Sequence, residues 1–176
     1  MPMSCYFTIC STAKSQEIYM QFLLENYDAL NLPYSFPVAL SYISSPVLMG
    51  EECILIRDSN DEAAGALGFI RGTGAQSYED QHILQIQTVF LKEHFRSSRL
   101  FLQASQFLAQ HLAQLKHPVT ELRFWIPAQP RLQRLCGKLA QKTAIQETVH
   151  GIIEEYRMDF ADWHASMQKY PHELYF

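Results

Sequence analysis

The sequence predicts one α/β domain, with an α+β arrangement in which a mixed, mostly antiparallel sheet of six to seven strands is flanked by about four helices. Its length of 176 residues suits a single domain with a substantial core. Hydrophobic residues make up 48% and charged residues 18% of the chain, as is typical of globular proteins. Short apolar runs alternate with helical patterns in the order strand, helix, hairpin, strand, helix, strand, helix, hairpin.

The N-terminal half predicts a strand, a helix and a hairpin. Residues 5–10 alternate as a first strand does, and Ser15 is the predicted cap of a helix. Three prolines within 31–50 predict a loop-rich segment with at most a short helix over 38–43. Two apolar runs at 52–57 and 63–71 flank a polar turn and predict an antiparallel hairpin. The helix rests on a periodic set of apolar residues: Tyr19, Phe22, Leu23, Tyr27 and Leu30.

The middle of the chain predicts a long strand followed by a long helix. Residues 82–91 form the strand, and simple alternation places Leu84, Ile86, Thr88 and Phe90 on one face. Either serine at 97 or 98 can cap the helix. Its predicted buried stripe consists of Phe101, Ala104, Leu108, Leu112 and Leu115.

The C-terminal part predicts a strand over 119–126, a helix opened by Pro130 and a hairpin from 143–149 and 151–160. We therefore assign residues 1–162 to a single domain and residues 163–176 to an aromatic tail. The tail is predicted to pack on its own domain, and packing on a second copy in a homodimer is the alternative.

Composition excludes several classes of partner. The net charge is −4, and Lys and Arg form no cluster, so we expect no nucleic-acid partner. The N-terminus lacks a basic and apolar leader, and no run of eighteen apolar residues occurs, so we expect a cytoplasmic protein with no membrane contact. The cysteines form no CxxC pair and the histidines have no metal-ligand spacing, which predicts four reduced core thiols and no metal site.

The segment that joins the central strand to the long helix reads Phe-Arg-Ser-Ser-Arg at 95–99. A helix start presents free N–H groups and the positive end of the helix dipole, so it can receive a diphosphate. Serine can replace glycine there if the turn uses ordinary dihedral angles. Arg96 and Arg99 could add positive charge.

Three stretches in this order resemble the GNAT superfamily of N-acetyltransferases over most of residues 5–160. The first, VFLKEHF at 89–95 followed by RSSRLF at 96–101, occupies the family's V-x-V-x-P-x-x strand end and its Q/R-x-x-G-x-G/A loop, without either glycine. The second, 129–141, matches N-x-x-A-x-x-L-Y-x-K-L-G-F at Leu135, Lys138 and Leu139. The third, EYRMDF at 155–160, resembles a closing strand that reads Y-x-M-x-K.

The resemblance implies that acetyl-CoA binds where the central strand separates from its neighbour. Its pantetheine would pair with the backbone of Val89, Phe90 and Leu91, and Gln129 stands where the family has Asn. For Phe101, which replaces the small residue of the family loop, a core position is the favoured interpretation. The loop residues implied to hold the cofactor are Arg96, Ser97, Ser98, Arg99, Leu100 and Phe101.

The resemblance leaves the catalytic groups open. Gln85 stands where several relatives have a Glu that acts as general base, and an amide is not a base. Cys136 replaces the Tyr that protonates the leaving thiolate, although a buried structural thiol is the simpler interpretation. Tyr156 and His82 are the other candidates.

The favoured function is therefore an acyl-CoA-dependent N-acetyltransferase that moves acetyl from acetyl-CoA to a primary amine of a small molecule or peptide. The alternative is a catalytically inactive GNAT-like module that binds CoA or a protein partner. The missing Gly, Glu and Tyr of the family pattern motivate that alternative.

Overall fold

A computed structural model describes residues 4–176, which form a seven-stranded sheet with six helices. The predicted class, a mixed sheet flanked by helices, is confirmed. The strands are β1 Tyr6–Cys10, β2 Cys53–Arg57, β3 Ala63–Arg71, β4 Ile83–Leu91, β5 Glu121–Pro127, β6 Gln141–Thr148 and β7 Gly151–Asp159. The helices are α1 Ala13–Glu25, α2 Tyr27–Leu30, α3 Phe36–Leu48, α4 Ser98–Ala113, α5 Pro130–Gly137 and α6 Phe160–Gln168.

The strands lie in the order β1-β2-β3-β4-β5-β7-β6. Every neighbouring pair is antiparallel except β4 and β5, which are parallel and connected through α4. The C-terminal hairpin inserts β7 beside β5, so β6 becomes an outer strand.

Each face of the sheet carries its own core. One core joins α4 and α6 to the sheet through side chains such as Leu84, Leu108 and Trp163. The other joins α1 to the sheet and includes Ile43 of α3. Among the described helices, none is long and apolar enough to cross a membrane.

The first and third helices differ from their predicted bounds. Thr12, rather than Ser15, caps α1, and Ser15 completes a capping box by accepting from the Thr12 N–H. A continuous helix runs over Phe36–Leu48, so the prediction of a loop-rich segment at 31–50 was wrong. Pro37 is tolerated because it lies in the first turn, where a missing N–H costs nothing. Pro46 lacks the N–H that would bond the Tyr42 carbonyl, and the Ser45 Oγ donates to that carbonyl instead at 3.0 Å.

The faces of β4 change at Gln87, because Thr88 pairs with Gly68 while Ile86 pairs with Phe69. Gln87 is therefore an extra residue in a β-bulge, and a bulge shifts the alternation by one position. Ile86 packs on the α4 face, whereas Phe90 belongs to the core on the α1 face. The prediction that Leu84, Ile86, Thr88 and Phe90 share one face was wrong for this reason.

The buried stripe of α4 also differs from the prediction. Leu100 takes the core position at the start of the helix, and Phe101, one residue further round, is 41% exposed. The interpretation of Phe101 as a core residue was therefore wrong. The apolar stripe that the structure buries consists of Leu100, Phe107, Leu108, Ala109 and Leu112.

The chain end packs on α4 and β1 of the same chain. Trp163 lies within α6, in the core, and the last residues then run along α4. Gln110 fixes them from both ends of its amide, because its Nε2 donates to the Glu173 carbonyl and its Oε1 accepts from the Tyr175 N–H. The Tyr175 ring stands edge-on to Phe7, with the ring centroids 5.6 Å apart. The structure thus has the tail packed in cis.

We predict that Gly68→Ala lowers the free energy of unfolding by about 1–3 kcal/mol. A methyl group at Gly68 would overlap the buried Tyr19 hydroxyl and lie 2.9 Å from the Pro46 ring. Denaturant unfolding measures this loss. Gly137→Ala is the matched control, because nothing lies within 4 Å of a methyl group at Gly137, and it should leave stability unchanged or slightly raised. Equal stability of the Gly68→Ala and Gly137→Ala proteins would contradict the prediction.

Candidate active site

The parallel pair at the centre of the sheet separates halfway along. β4 and β5 pair from Ile83 opposite Glu121 to Ile86 opposite Phe124, and no pairing continues beyond that point. β4 nevertheless remains bonded to β3 as far as Leu91. The backbone edge of β4 that would face β5 is therefore free of strand partners from the bulge onward. Val89 is half exposed, at 50%, although it lies in the middle of a seven-stranded sheet.

A tight turn leads from this free edge into α4. Ser97 caps the helix, as predicted for one of the two serines, and its Oγ accepts from the Leu100 N–H at 3.1 Å. The Phe101 N–H donates to the Ser97 carbonyl. Among residues 4–176, the N–H groups of Ser98 and Arg99 find no hydrogen-bond acceptor. These two N–H groups lie at the positive end of the α4 dipole.

The turn needs no glycine. The non-glycine residues with positive φ in the described chain are Asn31, Asp61, Ser77 and Tyr78, and all lie elsewhere. Ser97 has φ −139° and ψ 152°, an extended conformation open to any residue. The condition for replacing glycine by serine in this loop is therefore met.

The two loop arginines lie on different sides of the turn. Arg96 folds back onto β4, where its Nε donates to the Leu91 carbonyl at 2.9 Å and its guanidinium lies 5.7 Å from the Phe90 ring centroid. Arg99 instead lines a cavity of about 510 Å³ between the start of α4, the start of β1 and Tyr175 of the tail. Arg96 therefore secures the strand end, whereas Arg99 faces away from it.

Gln129 marks the other side of the opening. It lies two residues after β5 and occupies the N-cap position of α5, although its side chain makes no capping bond. Its backbone N–H donates to the Pro127 carbonyl at 2.8 Å. The structure thus places Val89, the loop at 96–101 and Gln129 around the ends of the two separated strands.

A buried carboxylate lies beneath α5, next to β5. Glu154 on β7 is 3% exposed, and its Oε2 accepts from the Tyr156 hydroxyl at 2.9 Å. Its Oε1 accepts from Gln133 Nε2 of α5 at 2.9 Å and from Lys142 Nζ of β6 at 3.3 Å. Burial alone would raise the pKa of Glu154, but these three hydrogen bonds outweigh it and lower the pKa below its usual range.

Two of the predicted catalytic residues meet at this carboxylate. Burial and the hydrogen bond to Glu154 raise the pKa of Tyr156 to about 12. Burial, and then the charge of Glu154, raise the pKa of the Cys136 thiol. Cys136 on α5 is half-buried, whereas Tyr156 is only 3% exposed and stacks on Phe124 with ring centroids 5.8 Å apart. At neutral pH, Tyr156 and Cys136 therefore both hold a proton beside an ionised Glu154.

His82 lies apart from these groups. It precedes β4 at the end where β4 and β5 are still paired, and its carbonyl accepts from the Thr120 N–H at 2.8 Å. Val89 is seven residues further along, roughly 20 Å at the rise of an extended strand. The structure does not bring His82 together with Cys136 or Tyr156. Among residues 4–176, no cluster of His, Cys, Asp or Glu side chains could hold a metal ion.

Sequence reasoning missed Glu154 and the amide contact of Gln85. Glu154 shares a face of β7 with Tyr156 and Met158, so a carboxylate within an otherwise apolar alternation was an available signal. Gln85, which stands where relatives have a base, instead donates from Nε2 to the Gly72 carbonyl at 2.7 Å. Its amide therefore fixes a loop and is not directed to the opening.

No protein-family model matches the sequence, and no curated protein matches it. Solved structures do match. One is a protein assigned as a GNAT acetyltransferase from Desulfovibrio desulfuricans, with a TM-score of 0.63 and 12% identity over 89% of this chain and 99% of the other. The chain has the GNAT fold. This likeness at low identity concerns the path of the backbone, not the site chemistry.

Two further GNAT structures agree with this fold. A GNAT acetyltransferase of Staphylococcus aureus has a TM-score of 0.56 and 11% identity over 88% of this chain and 99% of the other. A variant of the spermidine N-acetyltransferase of Vibrio cholerae has a TM-score of 0.60 and 7% identity over 89% of this chain and 95% of the other. The GNAT fold therefore spans nearly nine-tenths of the chain.

We predict that Glu154→Gln removes an acid-sensitive part of the stability. The folded pKa of Glu154 lies below its ordinary value of 4.5. Its stabilisation is therefore complete above that value and is lost as the pH falls through the folded pKa. Stability should fall by about 1–3 kcal/mol at neutral pH in Glu154→Gln, and its decline towards acid should be shallower than in the native chain.

Denaturant unfolding at a series of pH values measures both effects. Glu62→Gln is the matched control, because Glu62 is exposed in the turn between β2 and β3. Identical acid profiles for the native and Glu154→Gln proteins would contradict an ionised Glu154.

Proposed function

We propose that the protein is an N-acetyltransferase that uses acetyl-CoA to acetylate a primary amine of a small molecule or peptide. The separation of β4 from β5, which ends at a helix start with two free N–H groups, is the observation that carries this proposal. We expect the acceptor to enter from the side of α3 and of the hairpin formed by β6 and β7.

The groups around the opening fit the parts of acetyl-CoA. A pantetheine arm carries amides, and an unpaired strand edge offers N–H and C=O groups to bond them as another strand would. A diphosphate needs donors and positive charge, which the Ser98 and Arg99 N–H groups and the α4 dipole supply. Phe101 is 41% exposed beside the turn, so its ring is not part of the core beneath the start of α4.

The proposed reaction forms one bond and breaks one. The acceptor amine attacks the thioester carbonyl, so an N–C bond forms and the C–S bond breaks. A fixed backbone N–H near Val89 would stabilise the oxyanion of the tetrahedral intermediate. The amine proton leaves through water, because Gln87 is an amide and Gln85 is bonded to the Gly72 carbonyl.

The departing thiolate needs a proton; we assign Cys136 as its donor, and water returns a proton to Cys136 afterwards. Its raised pKa keeps it protonated at neutral pH, and its half-buried position leaves it accessible. Tyr156 is too deeply buried to meet the thiolate directly, so we assign it a positioning role through Glu154. Burial, and then the Glu154 carboxylate, raise the pKa of both groups and keep them protonated.

One experiment tests the proposed function. The protein is incubated with acetyl-CoA and a panel of primary amines while free thiol is followed, and thermal unfolding is recorded with and without CoA. Amine-dependent thiol release supports the transferase. A CoA-induced shift without thiol release would favour the inactive CoA-binding module. If neither a shift nor thiol release occurs, both functions are refuted.

We predict that Ser98→Pro weakens CoA binding by roughly tenfold or more. Ser98 is the first residue of α4, where proline fits the helix while removing one free N–H. A hydrogen bond to a charged group contributes about 1.5–3 kcal/mol, which corresponds to that loss. Ser98→Ala keeps the N–H and should bind CoA as the native chain does. Titration calorimetry with CoA measures both, and equal affinities for the two variants would exclude a diphosphate at this turn.

We predict that Cys136→Ala lowers kcat by about 100-fold, in the range of general-acid catalysis, with KM for acetyl-CoA nearly unchanged. Tyr156→Phe should have a smaller effect and shift the alkaline limb of the pH profile of kcat, because it acts on Cys136 through Glu154. Cys136→Ser is the size-matched control and should stay as slow as Cys136→Ala, since a serine hydroxyl is a far weaker acid. Full activity in Cys136→Ala would remove this residue from the mechanism.

A further inference from the structure

β6 is an outer strand of the sheet with an unused edge. None of its eight residues is buried. Its inner edge pairs with β7, and within residues 4–176 no other segment pairs with its outer edge. An outer strand with free N–H and C=O groups is a template for pairing with another chain.

On the face of the sheet that carries Glu154, β6 has a positive, an apolar and a negative residue at even spacing. Lys142 lies opposite Tyr156 of β7, Ile145 opposite Glu154, and Glu147 opposite Ile152. The pairing shifts between Lys142 and Ala144, where one extra residue is absorbed. The β7 residues opposite Lys142 and Glu147 are each two positions from Glu154, the residue opposite Ile145. Lys142 and Glu147 are therefore equally far from Ile145 along the sheet.

This order makes the strand complementary to itself. In an antiparallel pair related by a two-fold axis, a residue on the axis lies opposite its own copy. With the axis at Ile145, and with Thr143 as the extra bulge residue in this pair as it is against β7, each Lys142 would lie opposite Glu147 of the second copy. Opposite charges on facing positions stabilise an antiparallel pair, and like charges destabilise it.

The centre of this strand is apolar and exposed. Ile145 is 62% exposed, and Ile152, which lies on the same face of β7, is 49% exposed. A second β6 would cover the Ile145 side chain with an identical one. A foreign strand would have no reason to match the order of positive, apolar and negative residues, whereas a second copy always does.

We propose that β6 pairs antiparallel with β6 of a second copy of this chain, with the two-fold axis at Ile145, so that one sheet continues through both copies. The two Lys142–Glu147 pairs fix the register, and the two Ile145 side chains contact each other at the centre of the strand pair. This pairing rests on β6 and β7 alone and is independent of the proposed acetyl transfer.

Cross-linking tests the register. Residues facing each other in an antiparallel pair have Cα atoms about 4.5–5.5 Å apart, which suits a disulfide. Ile145→Cys should therefore form a covalent dimer under mild oxidation, at a yield many times that of the native chain, whose own cysteines set the background. Gln146→Cys is the control, because it lies off the axis and should cross-link poorly. Equal cross-linking of the two variants, or none in Ile145→Cys, would overturn the proposal.

Association tests the charge pairs. Sedimentation velocity across a concentration series should show the native chain forming a species of twice its 20.4 kDa mass. Glu147→Lys places a lysine opposite Lys142 of the second copy and should weaken this association at least tenfold. Glu17→Lys has the same charge change on α1, where Glu17 is 67% exposed, and should leave association unchanged. A native chain that stays monomeric throughout, or a dimer indifferent to Glu147→Lys, would refute the pairing.

Discussion

The structure depends on the interruption of one strand pair at the centre of the sheet. β4 is held firmly on its β3 side along its whole length, while on its β5 side the pairing stops at Ile86. The bulge at Gln87 lies at the same place, and a bulge bends the strand and increases its twist. Beyond Phe124, β5 keeps only its pairing with β7 on the opposite edge, so the two parallel strands separate and β4 has a free backbone edge. Backbone N–H and C=O groups need hydrogen-bond partners, and on this edge of β4 no strand supplies them beyond Ile86.

The turn into α4 extends this free edge with further N–H groups. Ser97 satisfies one N–H of the first turn with its side chain and another with its carbonyl, which leaves those of Ser98 and Arg99 open. Peptide donors do not depend on side-chain identity, so a loop without glycine keeps the electrostatic character of a phosphate-binding turn. Arg96 differs from this role, since it is bound to the end of β4 and contributes to the shape of the turn.

The carboxylate Glu154 ties the candidate site to the outer strand. It accepts hydrogen bonds from α5, β6 and its own strand, through Gln133, Lys142 and Tyr156. A buried charge with three donors is costly to break, because removal of one donor leaves an unsatisfied charge. The same Lys142 lies at the edge where a second copy would pair. Lys142 therefore belongs both to the outer strand β6 and to the hydrogen bonds around Glu154.

The sequence by itself determined the order of the elements, the mixed sheet with helices packed on it, the serine cap of α4 and the final hairpin, because these follow from local periodicity, capping and turn residues. The GNAT-like class came instead from the resemblance of three stretches to that family. The sequence-based prediction misplaced the faces of β4, because the bulge at Gln87 shifts the alternation of side chains. It also chose Phe101 instead of Leu100 as the core residue at the start of α4, because neighbouring residues of a helix differ by only about 100° in direction. Only the tertiary structure decided where β4 leaves β5, that Cys136 and Tyr156 meet at Glu154 while His82 does not, and that Arg96 and Arg99 face different ways. These depend on contacts between residues distant in sequence, and such contacts are set by how the helices and strands pack rather than by any local pattern.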